Sequence, residues 1–475
     1  MREIINETEN QVDAAENTPQ PGAAAEKHDN KHHGFSSKLG FVLAAAGSAV
    51  GLGNLWRFPY LAAKYGGVFI LCYIVFAVTF GFALLTLEIA IGRKTGKDVI
   101  GAFGELNKKS KWFGFFSLVV PVIIVPYYCV IGGWVLKYLV SYMNGMGATG
   151  ALTGEFFSSF IAGSWEPLVY FLIFAAMAFV VVVLGVQKGI EKVSKILMPL
   201  LAILAVVLAV FVLCQPNAWK GLQYIFVPDF GKFSGQMLLD ALGQLFYSMS
   251  LAMCIMITYG SYMKKSADIQ KSGRQISICD TSFAVVASLI IIPAIFAFSA
   301  SPDTDLANSG PSLMFVVLPN VFGAFSGFGN LIGMLFFLLV LFAALTSAIS
   351  LFEAIVAVLC RHFKFKRLAA CLIVFGVVVV LGTLSCLGFG VLSFVSVAGM
   401  TFLDMFDFIS NSVLMPIVAI GTCIIAGYFT NTRLLTEEIG LKEKSRRETY
   451  FKVMIRFVAP VCLVAILVSG LLTVF

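Results

Sequence analysis

The sequence predicts an all-α integral membrane protein with eleven transmembrane helices, and three observations support this fold class. Of the 475 residues, 59% are hydrophobic and 12% are charged, half of the ~25% charged content of soluble proteins. Mean hydropathy is +0.92. Long apolar runs recur along the chain and alternate with basic loops on one side only. This composition excludes a soluble enzyme, a nucleic-acid-binding protein and a secreted disulfide scaffold.

Each predicted span contains the roughly 20 apolar residues that a helix needs to cross a hydrocarbon core. Before them, residues 1–37 are polar and lack the apolar core of a signal peptide. We therefore expect a disordered cytoplasmic tail and a membrane domain over 38–475. A twelfth span could lie within 388–430, where glycine and aspartate interrupt the pattern. The eleven runs are 41–64, 67–92, 113–142, 167–186, 190–214, 237–263, 275–300, 327–360, 367–387, 404–430 and 448–474.

Basic residues predict a cytoplasmic N-terminus and an outer C-terminus. In this orientation the tail and inner loops carry 27 Lys and Arg residues, and the outer loops carry four. Positively charged loops stay on the cytoplasmic side, so this orientation is strongly favoured. One additional or one missing span would move the later basic loops to the opposite side of the membrane. The prediction is thus a multi-pass protein of the cell membrane, surrounded by the lipid bilayer and without a nucleic-acid partner.

The first span contains residues that oppose a continuous helix. Gly47, Gly51 and Gly53 lower the free energy needed to unwind it. Unwound backbone at this depth is tolerated only where it is buried in protein or faces a cavity. Close helix packing would explain the glycines, but not the central Asn54 and Arg57. We therefore favour a binding site in which free carbonyl groups hold a cation and free amide groups hold an anion.

Polar side chains also lie at mid-depth in the sixth, seventh and eighth spans. A hydroxyl group there usually bonds back to its own helix. Asp280 differs, because a carboxylate inside the membrane is costly and its own span offers no basic partner nearby. A cation is the expected partner, and many neutral oxygens with one carboxylate suit Na⁺. The other polar residues are Tyr247, Ser248, Ser250, Thr346 and Ser347.

The run 47–59 resembles the first-helix signature of the neurotransmitter:sodium symporters, in particular their bacterial transporters of leucine and other hydrophobic amino acids. The resemblance covers residues 36–475. It implies two five-helix repeats of opposite topology, with discontinuous first and sixth helices. The repeats would be 41–214 and 237–430, with an additional helix at 448–474. The implied function is sodium-coupled symport of a hydrophobic or aromatic amino acid into the cell by alternating access.

The resemblance also implies the residues of the site, with two sodium ions expected. The first sodium would bind at Ala49, Asn54, Ser248 and Asp280, where the substrate carboxylate would complete its shell. The second would bind at Gly47, Val50, Ala343, Thr346 and Ser347. The substrate would contact Ala49, Leu52, Gly53, Ile124, Tyr128, Tyr247, Ser248, Ser250, Met253, Ser347 and Leu351.

Further residues are implied to move during transport. The family forms an outer gate at positions that are here Arg57 and Asp407, above Tyr128 and Tyr247. Within the fifth span, a glycine and a proline permit local unwinding that admits water to the second sodium. The corresponding residues in this chain are Gly189 and Pro199.

Two departures from the family bear on the ligands. Asp280 stands where members commonly carry Asn, and it adds a negative charge beside the first sodium. Chloride supplies that charge in animal members, so we expect transport that does not require chloride. Ala284 stands where some chloride-independent members carry Glu. Gly51 stands where monoamine transporters carry Asp, so the zwitterion of an amino acid fits better than a lone amine.

Two other departures concern the shape of the site. Ala252 and Cys254 replace the glycines of the family's sixth-span break, which leaves the pocket shape open. His32, Phe35 and Arg361 replace the Arg, Trp and Asp of many inner gates, so this gate must be built differently.

Two other function classes stay open on this scaffold. One is a receptor or sensor that binds an amino acid without transporting it. The other is a membrane enzyme, although the spans show no nucleophile–base pair or metal triad. The particular amino acid, the sodium stoichiometry and the oligomeric state are not determined by the sequence.

Overall fold

The computed structural model describes residues 34–299, 301–306, 311–325, 327–396 and 399–472. These residues form helices and connecting loops, and no β-strand occurs among them. Nine of the helices are long and apolar enough to cross a membrane. They are Gly67–Thr95, Lys108–Met143, Glu166–Val183, Val186–Leu213, Ile269–Phe298, Gly329–Arg361, Arg367–Leu387, Phe402–Phe429 and Arg446–Leu472.

The two remaining predicted spans are both broken. The first consists of Lys38–Ala49 and Gly53–Tyr65, which are bent by 52° relative to each other. The sixth consists of Gly235–Ser248 and Ile255–Tyr262, joined by residues 249–254. Length and composition support up to ten spans, because neither half of the sixth is long enough to count. The total of eleven therefore stays a prediction.

Shorter helices lie between the spans. The described residues between Leu387 and Phe402 form turns, and no further helix occurs there. A twelfth span is therefore absent from that stretch. The connecting α-helices are Val99–Leu106, Gly154–Ala162, Ala218–Phe226, Pro302–Leu306, Leu318–Gly323 and Thr432–Ile439.

The second span packs directly against the half of the sixth that follows its break, Ile255–Tyr262. A Cβ at Gly92 would lie 1.9 Å from the carbonyl oxygen of Ile257, and one at Gly260 would lie 2.4 Å from that of Ile89. Glycine at both positions lets the two backbones touch, as is common where helices pack in membranes. This contact holds the broken sixth span against a continuous helix.

The described part of the chain begins at Gly34, four residues before the boundary at residue 38 that the composition predicts. Phe35 is buried, and Ser36 and Ser37 bond to the fifth span. The remainder of the expected tail, residues 1–33, lies outside the described residues.

Candidate functional site

The first span is interrupted at Val50, whose backbone turns from helical to extended (φ −77°, ψ 91°). The chain resumes as helix at Gly53, whose carbonyl oxygen accepts a hydrogen bond from Gln244 Nε2 at 3.0 Å. A side chain at Gly51 would require its neighbours to move, because a Cβ there would lie 2.6 Å from Ser347 Oγ and 3.0 Å from the hydroxyl oxygen of Tyr128. The expected break in the first span is therefore present, and glycine permits it.

The sixth span is interrupted differently. Ser250, Ala252 and Cys254 all have positive φ angles, of 53°, 59° and 63°. This left-handed conformation costs residues other than glycine roughly 1–2 kcal/mol each. Contacts with neighbouring spans hold it in place. Glu88 Oε1 accepts the Ala252 amide at 2.8 Å, and Ser250 Oγ donates to the carbonyl of Ser48 at 2.9 Å.

One cavity of about 340 Å³ lies where the two breaks meet. All eleven residues predicted to contact the substrate line it. Gly51 and Asn54, which the sequence singled out for other reasons, line it too. Ser48 and Ile255 also line it and were missed by sequence reasoning, although each is next to a predicted site residue or break.

The residues predicted for the first sodium form one buried cluster. Asp280 Oδ1 accepts hydrogen bonds from Asn54 Nδ2 at 2.8 Å and from Ser248 Oγ at 2.6 Å. Asp280 Oδ2 accepts from the hydroxyl of Tyr73 at 3.1 Å. Ala49 lines the adjoining cavity. Tyr73 was not predicted, since a tyrosine in an apolar span carries no signal of its own.

The residues predicted for the second sodium also meet. Ser347 Oγ lies 3.3 Å from the carbonyl oxygen of Gly47, and Thr346 Oγ1 lies 3.1 Å from that of Ala343. Val50 provides the extended turn beside them. Thr346 Oγ1 also bonds to the Phe342 carbonyl of its own helix at 3.1 Å, and Ser347 Oγ also bonds to the Ser48 carbonyl at 3.0 Å.

These donor sets fit sodium ions. The first cluster offers hydroxyl and carboxylate oxygens with a single formal charge, at Asp280, while the Asn54 side-chain oxygen accepts a hydrogen bond from the Gly51 amide at 3.1 Å. The second offers hydroxyl and main-chain carbonyl oxygens without any charge. Hard, mostly neutral oxygens are suited to a hard cation of low charge.

Tyr247 separates the central cavity from an outer one. Its side chain lines both, and the outer cavity, of about 650 Å³, is also lined by Arg57. Asp407 Oδ1 accepts a hydrogen bond from Asn411 Nδ2 at 2.5 Å. Within the described residues, no ion pair of 4.0 Å or less joins Arg57 to Asp407. The expected outer-gate residues therefore lie above Tyr247 without forming a direct bridge.

The fifth span is irregular at its inner end. Residues Val186–Glu191 form a π-helical segment that contains Gly189. A Cβ at Gly189 would lie 2.0 Å from the carbonyl oxygen of Val181, so only glycine fits. Pro199 lies further along, inside the helix Lys192–Leu213.

An aromatic cluster surrounds Phe35. Phe35 is 2% exposed and packs edge-on against Phe41, Tyr259 and Tyr262, with ring centroids 5.4–6.2 Å apart. The Arg361 guanidinium lies 4.5 Å from the centre of the Tyr262 ring. Three of these residues were not predicted. His32 lies outside the described residues.

Glu191 anchors the segment that carries Phe35. It accepts hydrogen bonds from the Ser36 amide at 2.7 Å and from Ser37 Oγ at 3.1 Å, and it pairs with Lys195 at 2.7 Å. The segment that carries Phe35 is therefore held by hydrogen bonds and aromatic contacts.

Comparison with known proteins identifies the family. The family model described as the sodium:neurotransmitter symporter family matches residues 32–149 and 162–474. The chain belongs to this family. The resemblance predicted from residues 47–59 is thus confirmed, and the relatives are transporters that couple transport to sodium.

Comparison with individual proteins supports the same family assignment. An uncharacterized sodium-dependent transporter of Bacillus subtilis (strain 168), YhdH, is 39% identical over 387 residues, covering 80% of this chain and 84% of that protein. An uncharacterized sodium-dependent transporter of Methanocaldococcus jannaschii, MJ1319, is 32% identical, covering 91% and 89%. A crystal structure of MhsT in complex with L-phenylalanine matches with a TM-score of 0.82 and 36% identity, covering 92% and 99%. The all-α membrane fold predicted from the sequence is therefore confirmed.

Proposed function

We propose that this family member carries an α-amino acid into the cell together with sodium ions, by alternating access. The observation that carries the proposal is the cavity lined by residues of both helix breaks. Unwound backbone at this depth offers amide groups to a carboxylate and carbonyl groups to an ammonium or sodium ion. The Asp280 cluster adjoins the cavity through Asn54 and Ser248. An amino acid there would contact sodium through its carboxylate.

The cavity favours a hydrophobic or aromatic side chain. Ile124, Met253 and Leu351 supply apolar surface, and Tyr247 supplies an aromatic ring. Gly51 supplies no carboxylate that could pair with a lone amine. The relative MhsT is described in complex with L-phenylalanine, which supports a substrate of this class.

Two sodium ions would drive uptake. Each inward charge gains about 2.3 kcal/mol per 100 mV from the membrane potential. The Asp280 and Thr346–Ser347 clusters are the proposed sites, and the Asp280 carboxylate would replace the charge that chloride supplies elsewhere. Opening of the fifth span at Gly189 and Pro199 would release the second ion inward.

The proposed orientation has a cytoplasmic N-terminus and an outer C-terminus, from the distribution of basic loops. It places the Phe35 cluster at the inner end and the cavity beneath Arg57 and Asp407 at the outer end. The described N-terminal segment 34–37 would then belong to the inner gate.

Uptake into proteoliposomes tests the proposal. A panel of labelled amino acids, with and without an inward sodium gradient, should show sodium-dependent accumulation of hydrophobic or aromatic members. Asn54→Ala and Thr346→Ala should each lower the apparent sodium affinity by about tenfold, the scale of one lost charge-assisted contact. Ser158→Ala, whose hydroxyl group bonds only within its own outer helix, is the matched control.

The result separates the candidate functions. A receptor would bind the amino acid but leave the vesicle interior empty. If Asn54→Ala and Thr346→Ala transport with unchanged sodium dependence, the assignment of the two sites is wrong.

A further inference from the structure

A third cavity, of about 640 Å³, shares no lining residue with the two cavities described above. It is formed where the loop between the second and third spans meets the end of the eighth. Lysine side chains dominate its rim. The lining residues are Lys97, Ile100, Gly101, Gly104, Glu105, Lys108, Lys111 and His362.

Two glycines form its floor. Gly101 and Gly104 are three residues apart and share one face of the helix Val99–Leu106. A Cβ at Gly101 would lie 3.0 Å from Lys97 Cβ, and one at Gly104 would lie 3.3 Å from Lys111 Cγ. The space beside these glycines, called the groove, is thus bordered by the stems of Lys97 and Lys111, and Asp98 Oδ2 would lie 3.3 Å from a Cβ at Gly101.

The groove carries a net positive charge. Lys97 pairs with Glu105 at 2.6 Å, which neutralises one lysine. Within the described residues, Lys108 and Lys111 have no carboxylate partner within 4.0 Å, and both are exposed. Two uncompensated ammonium groups beside a concave surface attract an anion.

Exposed aromatic rings adjoin the groove on one side. Trp112 is 66% exposed, Phe115 is 42% exposed and Phe363 is 48% exposed. The Phe115 ring lies 5.5 Å from that of His362, which lines the groove, and 6.3 Å from that of Phe363. Trp112 and Phe115 begin the third span, at the level where apolar residues replace charged ones. Aromatic residues at that level contact the boundary between headgroups and acyl chains.

We propose that this groove binds the headgroup of an anionic phospholipid. Lys108 and Lys111 would hold the phosphodiester, and the rings of Trp112, Phe115 and Phe363 would contact the glycerol and upper acyl chain. A soluble phosphate would use the lysines but not the rings, which is why the structure favours a lipid. The proposal rests on the proposed orientation only for the choice of the cytoplasmic leaflet.

Such a lipid would join separate parts of the inner surface. His362 follows Arg361, which donates hydrogen bonds to the Gly96 carbonyl at 3.2 Å and to Ser261 Oγ at 2.8 Å. The headgroup would therefore connect the 97–111 loop to the eighth span, beside the Arg361–Tyr262 contact. Bound lipid should strengthen the arrangement in which Phe35 is buried.

The test measures lipid retention by the purified full chain in detergent. Native mass spectrometry would compare phosphatidylglycerol with phosphatidylcholine, without sodium or amino acid, so that the result is independent of transport. A lysine near the membrane surface contributes about fivefold in affinity, so Lys108→Gln with Lys111→Gln should weaken phosphatidylglycerol binding on the order of twentyfold. The control pair, Lys94→Gln with Lys109→Gln, has the same net charge change on exposed residues outside the groove and should change binding less than about twofold.

Gly104→Leu tests the shape of the groove without changing its charge and should also weaken binding. A melting temperature shows whether each variant is folded. If the Gly104→Leu protein is not folded, the variant with Lys108→Gln and Lys111→Gln still tests the proposal. Equal loss in the control pair would overturn the proposal, because it would show diffuse attraction. Wild-type affinity in the groove pair would overturn it too. Competition by free glycerol phosphate at the same concentration as the lipid would show a soluble-anion site and would equally overturn it.

Discussion

The two helix breaks that enclose the central cavity are built in different ways. In the first span, glycine at position 51 leaves room for Ser347 and Tyr128, and the backbone turns without a left-handed residue at Val50. In the sixth span, three residues with side chains adopt positive φ, and bonds from other spans hold them there. The first break is thus encoded locally, and the second depends on tertiary contacts.

Asp280 connects the two breaks. It accepts hydrogen bonds from Asn54, which follows the first break, and from Ser248, which precedes the second. A cation bound at this carboxylate would therefore interact with residues that flank both breaks. The comparison therefore predicts that variants at the two breaks fail for different reasons.

The largest effect is expected at the first break, from Gly51→Val. The new side chain would overlap Ser347 Oγ and Tyr128, which line the cavity, so sodium-dependent uptake should fall by about a hundredfold. Gly376→Val is the control, because a Cβ there meets nothing within 4 Å. Similar uptake by the two variants would show that the first break tolerates side chains.

The next largest effect is expected from Glu88→Ala. It removes the acceptor of the buried Ala252 amide, at a cost of about 1–3 kcal/mol. Melting temperature and substrate affinity should both decrease. Glu88→Gln keeps an acceptor oxygen and should retain most of the melting temperature and most of the substrate affinity. If the two variants behave equally, the hydrogen bond from the Ala252 amide to Glu88 does not stabilise the break.

A moderate effect is expected from Asp280→Asn, which tests the link between the breaks. Uptake by the unmodified chain should persist when gluconate replaces chloride. The variant should lose sodium affinity by about tenfold, because the buried cation loses its charged partner, and chloride should restore part of it. A strict chloride requirement of the unmodified chain would contradict the role given to Asp280.

The smallest effect is expected from Ala252→Gly. Glycine adopts positive φ without strain, so the variant should be neutral or more stable by about 1 kcal/mol. Ala354→Gly, in the regular eighth span, should instead destabilise by about 1 kcal/mol. Melting temperatures measure the stability of both variants. A lower melting temperature of the Ala252→Gly protein would show that the methyl group of Ala252 packs favourably.

Sequence reasoning predicted the residues that line the cavity but not all of their supports. Asn54 and Asp280 are polar residues in apolar spans, so composition alone marked them. Tyr73 bonds to the same region but resembles an ordinary span residue, and only its position in space reveals it. Phe35 is a similar case, because a single aromatic residue after a polar tail gives no sign of the cluster it joins.

The sequence by itself determined the membrane-spanning helices and the break in the first one. Apolar runs must be helical because the bilayer offers no partners for backbone groups, and glycines with a central Asn54 make one run a poor helix. Only the tertiary structure decided the conformation of Ala252 and Cys254, because their left-handed backbone opposes local preference. Bonds such as Glu88 to Ala252 outweigh that preference, and the residues that make them are far apart in the chain.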